Sequence, residues 1–280
     1  MLQIGLSINR HGEPTADFLR SLADGGIQAV ELSSSALADM PEDFDFRGVK
    51  AMADGCGIRL WSVHLPFAPF EQLNPASPDG AVRRFTKAHF ENIIRRAAAV
   101  GIDKFVVHPS GEPNAPETRE EALCRSMEVL SDLADFAAGY GAVIAVENLP
   151  RTCLGNRAAE LKRIVSANDR LRVCFDLNHS LGEDNRAYFR ALADKIVTLH
   201  VSDYDGVDER HWLPGEGKTD WVAMVDELEN MGYAGVWMYE VGFNAPATIR
   251  RRTLTPADFA ENARAVLNRR TIPVWGTPLV

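Results

Sequence analysis

The run AVIAVEN (residues 142–148) is a short apolar stretch, rich in Val and Ile, that ends in a carboxylate and an amide side chain. Runs of this length and composition are typical of buried β-strands. The same kind of run recurs along the chain, separated by amphipathic stretches with helical spacing. The other seven runs are LQIGLSI (2–8), IQAVELS (27–33), IRLWSVHL (58–65), DKFVVHP (103–109), LRVCFDL (171–177), KIVTLHV (195–201) and AGVWMYEV (234–241).

Eight strands that alternate with helices predict a parallel sheet covered by helices. The number eight favours a closed (β/α)8 barrel, the TIM-barrel fold, and 280 residues suit one such barrel of about 250. An open dinucleotide-binding sheet would place G-x-G-x-x-G after its first strand, and residues 9–14 (NRHGEP) lack that pattern. We therefore predict a single α/β domain over residues 1–270, followed by an irregular tail over residues 271–280.

The composition is that of an ordinary soluble globular protein, with 46 % hydrophobic and 25 % charged residues. A net charge of −9 disfavours nucleic acid as a partner, because such binding relies on Lys and Arg at the phosphates. No apolar run approaches the ~20 residues that cross a bilayer, and the first residues do not resemble a secretory signal. With four widely separated cysteines, these features predict a cytoplasmic protein that acts on a small molecule and is compatible with a homo-oligomer.

Seven of the eight runs have an acidic residue or a histidine within two residues of their C-terminal end: Glu31, His64, His108, Glu147, Asp176, His200 and Glu240. In a parallel barrel the C-terminal ends of the strands converge on one small volume, where active sites lie. Several carboxylates in such a partly dry pocket would repel one another unless a cation balanced them. The pattern therefore predicts a divalent-metal site at this end of the barrel.

Four of these residues come from consecutive strands and form the best ligand set for one ion: Glu147, Asp176, His200 and Glu240. Three carboxylates and one imidazole suit Mn²⁺, Mg²⁺, Co²⁺ or Zn²⁺. Further candidates for metal or substrate contact are His64, His108, His179, Glu209, His211 and Trp212. A second or third ion is therefore compatible with the sequence. The long loop that carries His211 is expected to cover the pocket.

An ordered set of motifs follows the strand ends. It comprises Glu147-Asn148, Asp176-Leu177-Asn178-His179, His200-Val201-Ser202-Asp203, the loop His211-Trp212-Leu213-Pro214-Gly215-Glu216-Gly217, and Glu240. This set resembles the xylose-isomerase-like barrel superfamily over nearly the whole chain, and within it the sugar-phosphate isomerase/epimerase group. The resemblance implies a metal held by Glu147, Asp176, His200 and Glu240, with Glu147 and Glu240 also acting as acid and base.

The chemistry of such a site starts from a C–H bond next to a carbonyl, which is too weakly acidic for a side chain to deprotonate unaided. A bound cation stabilises the developing enediolate, and two carboxylates can then remove the proton and return it elsewhere. Glu147 and Glu240 fit these two roles. The sequence therefore predicts a metal-dependent isomerase, epimerase or dehydratase acting on a small sugar, polyol or hydroxyketone, with Trp212 and Phe67 as candidates for stacking on it.

The residues leave a second function open. Ketose 3-epimerases usually have a glutamate where this chain has Cys153 and an arginine where it has Gly206. The AP endonuclease branch has additional ligands that match His64, His108, His179 and His211, and an aspartate where this chain has Glu209. A zinc-dependent AP endonuclease-like phosphodiesterase is therefore the alternative. The acidic net charge counts against DNA as the substrate.

Overall fold

A computed structural model of the chain describes residues 2–9 and 14–280 and confirms the predicted (β/α)8 barrel. Within this part of the chain, eight parallel strands form one sheet in the order β7-β6-β5-β4-β3-β2-β1-β8. The strands are β1 (Gln3–Asn9), β2 (Ala29–Ser33), β3 (Arg59–His64), β4 (Lys104–Val107), β5 (Val143–Glu147), β6 (Arg172–Asp176), β7 (Ile196–His200) and β8 (Val236–Tyr239). Residues 10–13, in the segment after the first strand, lie outside the described residues.

Helices alternate with these strands and cover the outside of the barrel. They are α1 (Ala16–Asp24), α2 (Phe46–Gly55), α3 (Gly80–Ala98), α4 (Arg119–Ala138), α5 (Ala158–Val165), α6 (Asn185–Leu192), α7 (Trp221–Asn230) and α8 (Pro256–Leu267). Side-chain oxygens of Thr15, Asp45 and Asp220 accept backbone N–H groups at the starts of α1, α2 and α7, which stabilises these ends. Among the described residues, every helix is too short or too polar to cross a lipid bilayer.

The barrel closes where the first strand meets the last. Residues 3–6 of β1 pair in parallel with residues 236–239 of β8. On the other side of β8, the Val201 N–H donates to the Met238 carbonyl at 2.8 Å, and the Glu240 N–H donates to the Val201 carbonyl at 3.1 Å. These bonds hold the ends of β7 and β8 together at the seam of the barrel.

Small and apolar side chains fill the barrel beneath its polar end. Ala29, Ala145, Cys174 and Met238 are fully buried, and each lies two residues before an acidic residue of the polar end, namely Glu31, Glu147, Asp176 or Glu240. Because residues two apart on a strand face the same side, these four side chains lie directly below the polar ones. Trp61 is also buried, and its Nε1 donates to Thr198 Oγ1 at 2.9 Å. The polar end of the barrel therefore rests on a closely packed interior.

The connections at the two ends of the barrel differ in length. Those at the N-terminal ends of the strands are short, for example residues 25–28, 139–142 and 193–195. Those at the C-terminal ends are longer, for example residues 65–79, 148–157 and 201–220. Loops are free to carry binding and catalytic residues when a rigid scaffold positions them. The long loops therefore surround the end of the barrel that bears the predicted site.

The sequence predicted an irregular tail over residues 271–280, but part of this tail forms a strand. Gly276–Pro278 forms a short strand, β10, that pairs antiparallel with β9 (Ile249–Arg251). The strand packs over an ion pair between Arg251 Nη1 and Glu216 Oε2, which are 2.7 Å apart. The side chains of both residues are fully buried. Gly276 passes so close that an added Cβ would lie 2.7 Å from Glu216 Oε1. The strand therefore covers a charge pair that would otherwise be open to solvent.

Candidate metal and active site

The four preferred ligands lie together at the C-terminal end of the barrel. Glu147, Asp176 and His200 are the last residues of β5, β6 and β7, and Glu240 directly follows β8. One donor atom from each residue lies within 4.8 Å of the other three. His200 Nδ1 is 2.9 Å from Glu147 Oε1, 3.3 Å from Glu240 Oε2 and 3.8 Å from Asp176 Oδ2. Three oxygens and one ring nitrogen therefore face a common point.

Two carboxylate oxygens of this cluster have no hydrogen-bond partner among the described residues. They are Asp176 Oδ2 and Glu240 Oε2, both buried. Asp176 Oδ1 does have a partner, the Asn178 N–H at 2.5 Å, so the oxygen without one is the oxygen that faces the cluster. Burial, together with the charges of Glu240 and Glu147, holds the pKa of Asp176 well above its usual range. A divalent cation would satisfy both oxygens and remove this repulsion, so the donor set fits Mn²⁺, Mg²⁺, Co²⁺ or Zn²⁺.

Glu31 supports the cluster from below. The sequence predicted it near the end of the second strand, but β2 continues to Ser33, and Glu31 was not among the predicted ligands or catalytic residues. His200 Nε2 lies 2.9 Å from Glu31 Oε1, and the hydroxyls of Ser7 and Ser62 donate to the same carboxylate at 2.8 Å and 2.7 Å. A ligating histidine is commonly oriented by such a carboxylate on its other nitrogen. Glu31 therefore fixes the ring so that Nδ1 faces the cluster.

Glu147 joins this cluster to a second group of metal-binding side chains. Its Oε2 lies 3.1 Å from His64 Nε2 and 3.2 Å from His108 Nε2, while its Oε1 faces His200. Burial alone would raise the pKa of Glu147. The charge of His200 and the hydrogen bonds from these rings outweigh burial and hold that pKa well below its usual range. Glu147 is therefore held as an ionised carboxylate at the centre of the site.

A third group lies on the other side of the cluster and contains His179, Glu209 and His211. His179 Nδ1 donates to the Asn148 carbonyl at 2.9 Å, and its Nε2 is 3.3 Å from Glu209 Oε2. Burial disfavours the charged forms of both His179 and Glu209. The neighbouring carboxylates outweigh this effect and raise the pKa of His179 to about 10. Burial alone would raise the pKa of Glu209, but the hydrogen bond from His179 and the charge of His179 lower it to about 2. The structure thus brings all the predicted ligands to one end of the barrel.

A small cavity of about 140 Å³ opens above the cluster. One wall is aromatic, because the Phe67 ring stacks on His108 with centroids 4.3 Å apart. Arg151 lies at the mouth with an unusual φ of +52°, and its guanidinium contacts Glu112 at 3.0 Å and Glu209 at 3.1 Å. Its charge is therefore already balanced by carboxylates. The position of Phe67 is consistent with its predicted role beside a sugar.

The loop after β7 is fastened to the barrel by one buried carboxylate. Asp203 Oδ2 accepts the N–H groups of Gly215 (2.8 Å) and Gly217 (3.0 Å) and the Trp221 indole N–H (2.9 Å). Its Oδ1 accepts the N–H groups of Tyr204 (2.9 Å) and Thr219 (3.1 Å). Asp203 therefore sets the path of the whole segment from residue 204 to residue 219, which contains Glu209 and His211. Sequence reasoning assigned no role to this residue, although its place three residues after His200 was part of the motif.

His211 and Trp212 differ in their positions relative to the cavity. His211 lines the mouth, where its Nδ1 lies 3.1 Å from the Glu240 carbonyl. The prediction that Trp212 contacts metal or substrate is wrong, because its side chain is buried in the protein and its Nε1 donates to Thr248 Oγ1 at 2.9 Å. The cause is the backbone: His211 has a φ of +50°, and Trp212 then pairs with Asp203 through two backbone hydrogen bonds. This turn directs the imidazole to the cavity and the indole into the core.

Comparison with known proteins gives matches over most of the chain. The sequence profile of the family described as "Xylose isomerase-like TIM barrel" matches residues 19–263. An uncharacterised protein of Methanocaldococcus jannaschii is 32 % identical over 178 residues, which cover 60 % of this chain and 61 % of that protein. Fructoselysine 3-epimerase of Escherichia coli O157:H7 is 29 % identical over 140 residues, 46 % of this chain and 50 % of that enzyme.

Two further matches extend over more of the chain. D-psicose 3-epimerase of Ruminiclostridium cellulolyticum is 26 % identical over 233 residues, 78 % of this chain and 75 % of that enzyme. The crystal structure of a D-tagatose 3-epimerase-like protein covers 94 % of this chain and 97 % of its own length, with a TM-score of 0.78 and 23 % identity. At that identity the structural match concerns the fold. The chain matches between half and two thirds of the length of the Methanocaldococcus jannaschii protein and of the fructoselysine 3-epimerase.

Proposed function

Because this chain belongs to the family of xylose isomerase-like TIM barrels, we propose that it is a divalent-metal-dependent sugar isomerase or epimerase. The relatives whose names state an activity act on sugars, as a fructoselysine 3-epimerase and a D-psicose 3-epimerase. A small sugar, polyol or related hydroxyketone is the proposed substrate class. A dehydratase would share the first proton-transfer step and falls within the same proposal.

The observation that carries this proposal is the pair of carboxylate oxygens without partners at the floor of the cavity. Asp176 Oδ2 and Glu240 Oε2 face His200 Nδ1 and Glu147 in a buried cluster. Such a cluster is unfavourable for a purely structural role, because buried carboxylates without partners destabilise the fold. Glu147, Asp176, His200 and Glu240 would therefore hold the metal.

A divalent cation held by Glu147, Asp176, His200 and Glu240 would act as a Lewis acid toward a substrate carbonyl. Glu147 and Glu240 perform the proton transfer, one removing the proton beside the carbonyl and the other returning one to the opposite face or the neighbouring carbon. Glu240 is the more accessible of the two, with 25 % of its side chain exposed against 1 % for Glu147. His211 lies at the mouth beside this carboxylate, with its Nδ1 3.8 Å from Glu240 Oε2.

A metal titration combined with isotope exchange tests this proposal. The protein is stripped with a chelator, reloaded with Mn²⁺, Co²⁺, Zn²⁺ or Mg²⁺, and incubated with ketoses and inososes in D2O. We expect metal-dependent conversion with deuterium at the carbon next to the carbonyl, read by NMR. Full conversion by the metal-free protein would contradict the metal role. Conversion that survives both Glu147→Gln and Glu240→Gln would contradict the proton-transfer pair.

A second candidate function is a zinc phosphodiesterase of the AP endonuclease type. One observation favours it: the groups His64, His108, Glu147 and His179, Glu209, His211 each bring three donor atoms within 4.8 Å of one another. Together with the central cluster they could accommodate three ions. The net charge of −9 opposes binding to a phosphate backbone. Three zinc ions per chain together with incision of an abasic-site duplex would favour this candidate, whereas one ion without incision would eliminate it.

A further inference from the structure

Arg151 lies at the mouth of the 140 Å³ cavity in a strained backbone conformation. Its φ of +52° is in the left-handed region, which residues other than glycine seldom adopt. Such strain persists only where the surrounding contacts impose it, and it is concentrated at binding and catalytic sites. The Asn156 side chain helps to impose it here, because its Nδ2 donates to the Arg151 carbonyl at 2.5 Å. The conformation therefore indicates a role for Arg151 at the cavity.

The residues that follow Arg151 are fixed by the start of α4. Arg119 Nη1 donates to the Thr152 carbonyl at 2.9 Å, and Arg119 Nη2 donates to the Cys153 carbonyl at 2.8 Å. Asn114 Nδ2 donates to the same Thr152 carbonyl at 3.3 Å. Groups that are held before binding lose little conformational entropy when a ligand arrives. This segment therefore forms a preorganised edge of the cavity.

Arg151 connects three loops at the mouth. Arg151 belongs to the loop after β5, and its Nε and Nη2 donate to Glu112 Oε1, in the loop after β4, at 3.3 Å and 3.0 Å. Its Nη1 lies 3.3 Å from Asp208 Oδ1 and 3.1 Å from Glu209 Oε1, both in the loop after β7. The Arg151 side chain is 40 % exposed and that of Glu112 is 26 % exposed, so a ligand in the cavity can reach both. These four residues are called the mouth network below.

The mouth network offers hydrogen-bond donors and acceptors side by side. A guanidinium has five N–H donors, and the contacts of Arg151 use four of them. Each carboxylate oxygen has two lone pairs, so the three carboxylates can accept further hydrogen bonds. A hydroxyl donates and accepts at once and therefore matches this arrangement. A phosphate group mainly accepts, and its charge would lie beside three carboxylates, so the network opposes it.

The mouth network lies in the same cavity as the metal cluster but apart from it. Glu209 Oε2 is 3.3 Å from His179 Nε2, and His179 Nδ1 is 3.7 Å from Asp176 Oδ2. Two side chains, those of Glu209 and His179, therefore separate Arg151 from the cluster. A sugar whose carbonyl lies at the cluster can place its distant hydroxyls at the network.

We propose that Glu112 and Arg151 determine specificity by binding substrate hydroxyls remote from the carbonyl, and that the substrate carries no phosphate at this end. This inference rests on the proposed isomerase or epimerase function. Loss of a hydroxyl that meets the charged pair should lower kcat/KM by about tenfold, because hydrogen bonds to charged groups are the stronger ones. Phosphorylation at the same carbon should lower kcat/KM at least as far, because of the repulsion from the carboxylates.

A deoxy series tests this assignment. Metal-loaded enzyme is incubated in D2O with D-fructose, D-psicose, D-tagatose and D-sorbose, and with the 4-, 5- and 6-deoxy forms and the 4-, 5- and 6-phosphates of each. Conversion and deuterium incorporation are followed by NMR. We expect at least one deoxy sugar to have a kcat/KM about tenfold below that of its parent. The phosphate ester at the same carbon should fall at least as far below the parent.

Variants of the two residues show whether they cause this deoxy penalty. In Glu112→Gln and in Arg151→Met, kcat/KM for the parent sugar should fall by about tenfold, while the value for the deoxy sugar should hardly change. The penalty should therefore disappear. Glu112→Gln also removes one negative charge beside Arg151, so the ratio of ester to parent should rise. In the wild type, added salt should raise kcat/KM for the ester and leave that of the parent unchanged, because salt screens the repulsion.

Arg163→Met is the matched control. Arg163 is an arginine of similar exposure on α5, and its Nη1 donates to Glu120 Oε2 of α4 at 2.7 Å, but it does not line the cavity. This variant should retain the full deoxy penalty. Urea unfolding shows whether each variant is folded under assay conditions. Because Glu112 and Arg151 lie in different loops, either folded variant decides the question.

The outcomes distinguish this inference from the proposed function. A deoxy series without a penalty that shrinks in the folded variants overturns the assignment of Glu112 and Arg151 and leaves the proposed function standing. A phosphate ester that is converted as well as its parent at the carbon concerned has the same meaning. An absence of metal-dependent turnover or exchange for every sugar overturns the proposed function, and the assignment fails with it.

Discussion

Replacing Asp203 by asparagine should loosen the loop that carries Glu209 and His211 without unfolding the barrel. The Asp203 carboxylate accepts five N–H groups from the segment between residues 204 and 221, three on Oδ2 and two on Oδ1. An asparagine side chain turns one of these oxygens into a donor, so at least two of the bonds are lost. At about 1.5 kcal/mol for each bond to a charged acceptor, the loop is destabilised by about 3 kcal/mol.

This loss corresponds to roughly a hundredfold rise in the population of opened loop. Hydrogen exchange read by mass spectrometry should show faster exchange in peptides spanning residues 204–219, with little change in the strands. Because Glu209 and His211 then spend more time away from the cavity, kcat/KM should fall by tenfold or more. Asp220→Asn is the matched control, since Asp220 caps α7 through one bond to the Ala223 N–H and asparagine caps helices equally well. Unchanged exchange in this segment together with an unchanged kcat/KM in Asp203→Asn would refute the reasoning.

Three other substitutions probe the site and the scaffold. Glu31→Gln should weaken binding of the proposed metal by about 10- to 100-fold, measured by competition with a chromophoric chelator, because the support of His200 is weakened; unchanged affinity would exclude that role. Glu240→Gln should nearly abolish turnover while retaining much of the substrate binding seen by calorimetry, since a transition-state contribution is lost; a wild-type rate would exclude Glu240 as acid or base. Asp258→Asn should lower the free energy of unfolding by about 1 kcal/mol near neutral pH, because Asp258 accepts hydrogen bonds from Arg252 and from the Thr255 N–H at the start of α8. The bond to Arg252 holds the pKa of Asp258 below its ordinary 3.8. The stability that this bond confers is therefore present above pH 3.8 and is lost as the pH falls through the folded-state pKa. Urea unfolding should show the free energies of unfolding of the two proteins becoming equal in acid, and a difference that persists there would contradict this account.

Much of the fold could be predicted because the hydrophobic pattern and the strand ends carry independent information. The alternation of short apolar runs with helical periodicity predicts the barrel, and the match of the family profile over residues 19–263 confirms the resemblance drawn from the motifs. Barrel geometry then brings Glu147, Asp176, His200 and Glu240 together, because parallel strands start and end at the same levels. The convergence of side chains at strand ends is therefore predictable from spacing.

Loop residues were harder to predict, because their directions depend on backbone conformations that the sequence does not specify. The turn at His211, with its φ of +50°, sends Trp212 into the core, whereas its place in a loop at the C-terminal face of the barrel suggested a substrate contact. Glu31 was expected near a strand end like the predicted ligands, but it lies in the middle of β2, and its contact with His200 depends on which ring nitrogen faces it. The strand at Gly276–Pro278 depends on a tertiary partner in β9 and has no local hydrophobic pattern.

The pairing of β1 with β8 has a consequence for the synthesis of the chain. One edge of β1 is covered by β2, which emerges from the ribosome soon afterwards, whereas the other edge waits for residues 236–239. About 230 residues separate β1 from this partner, so at 5–20 residues per second the edge stays unpaired for roughly 10–50 s. An unpaired strand edge is a template for pairing with another chain. The nascent protein thus keeps one edge of β1 exposed while the residues between β1 and β8 are made, and truncated chains that end before β8 would keep that edge open permanently.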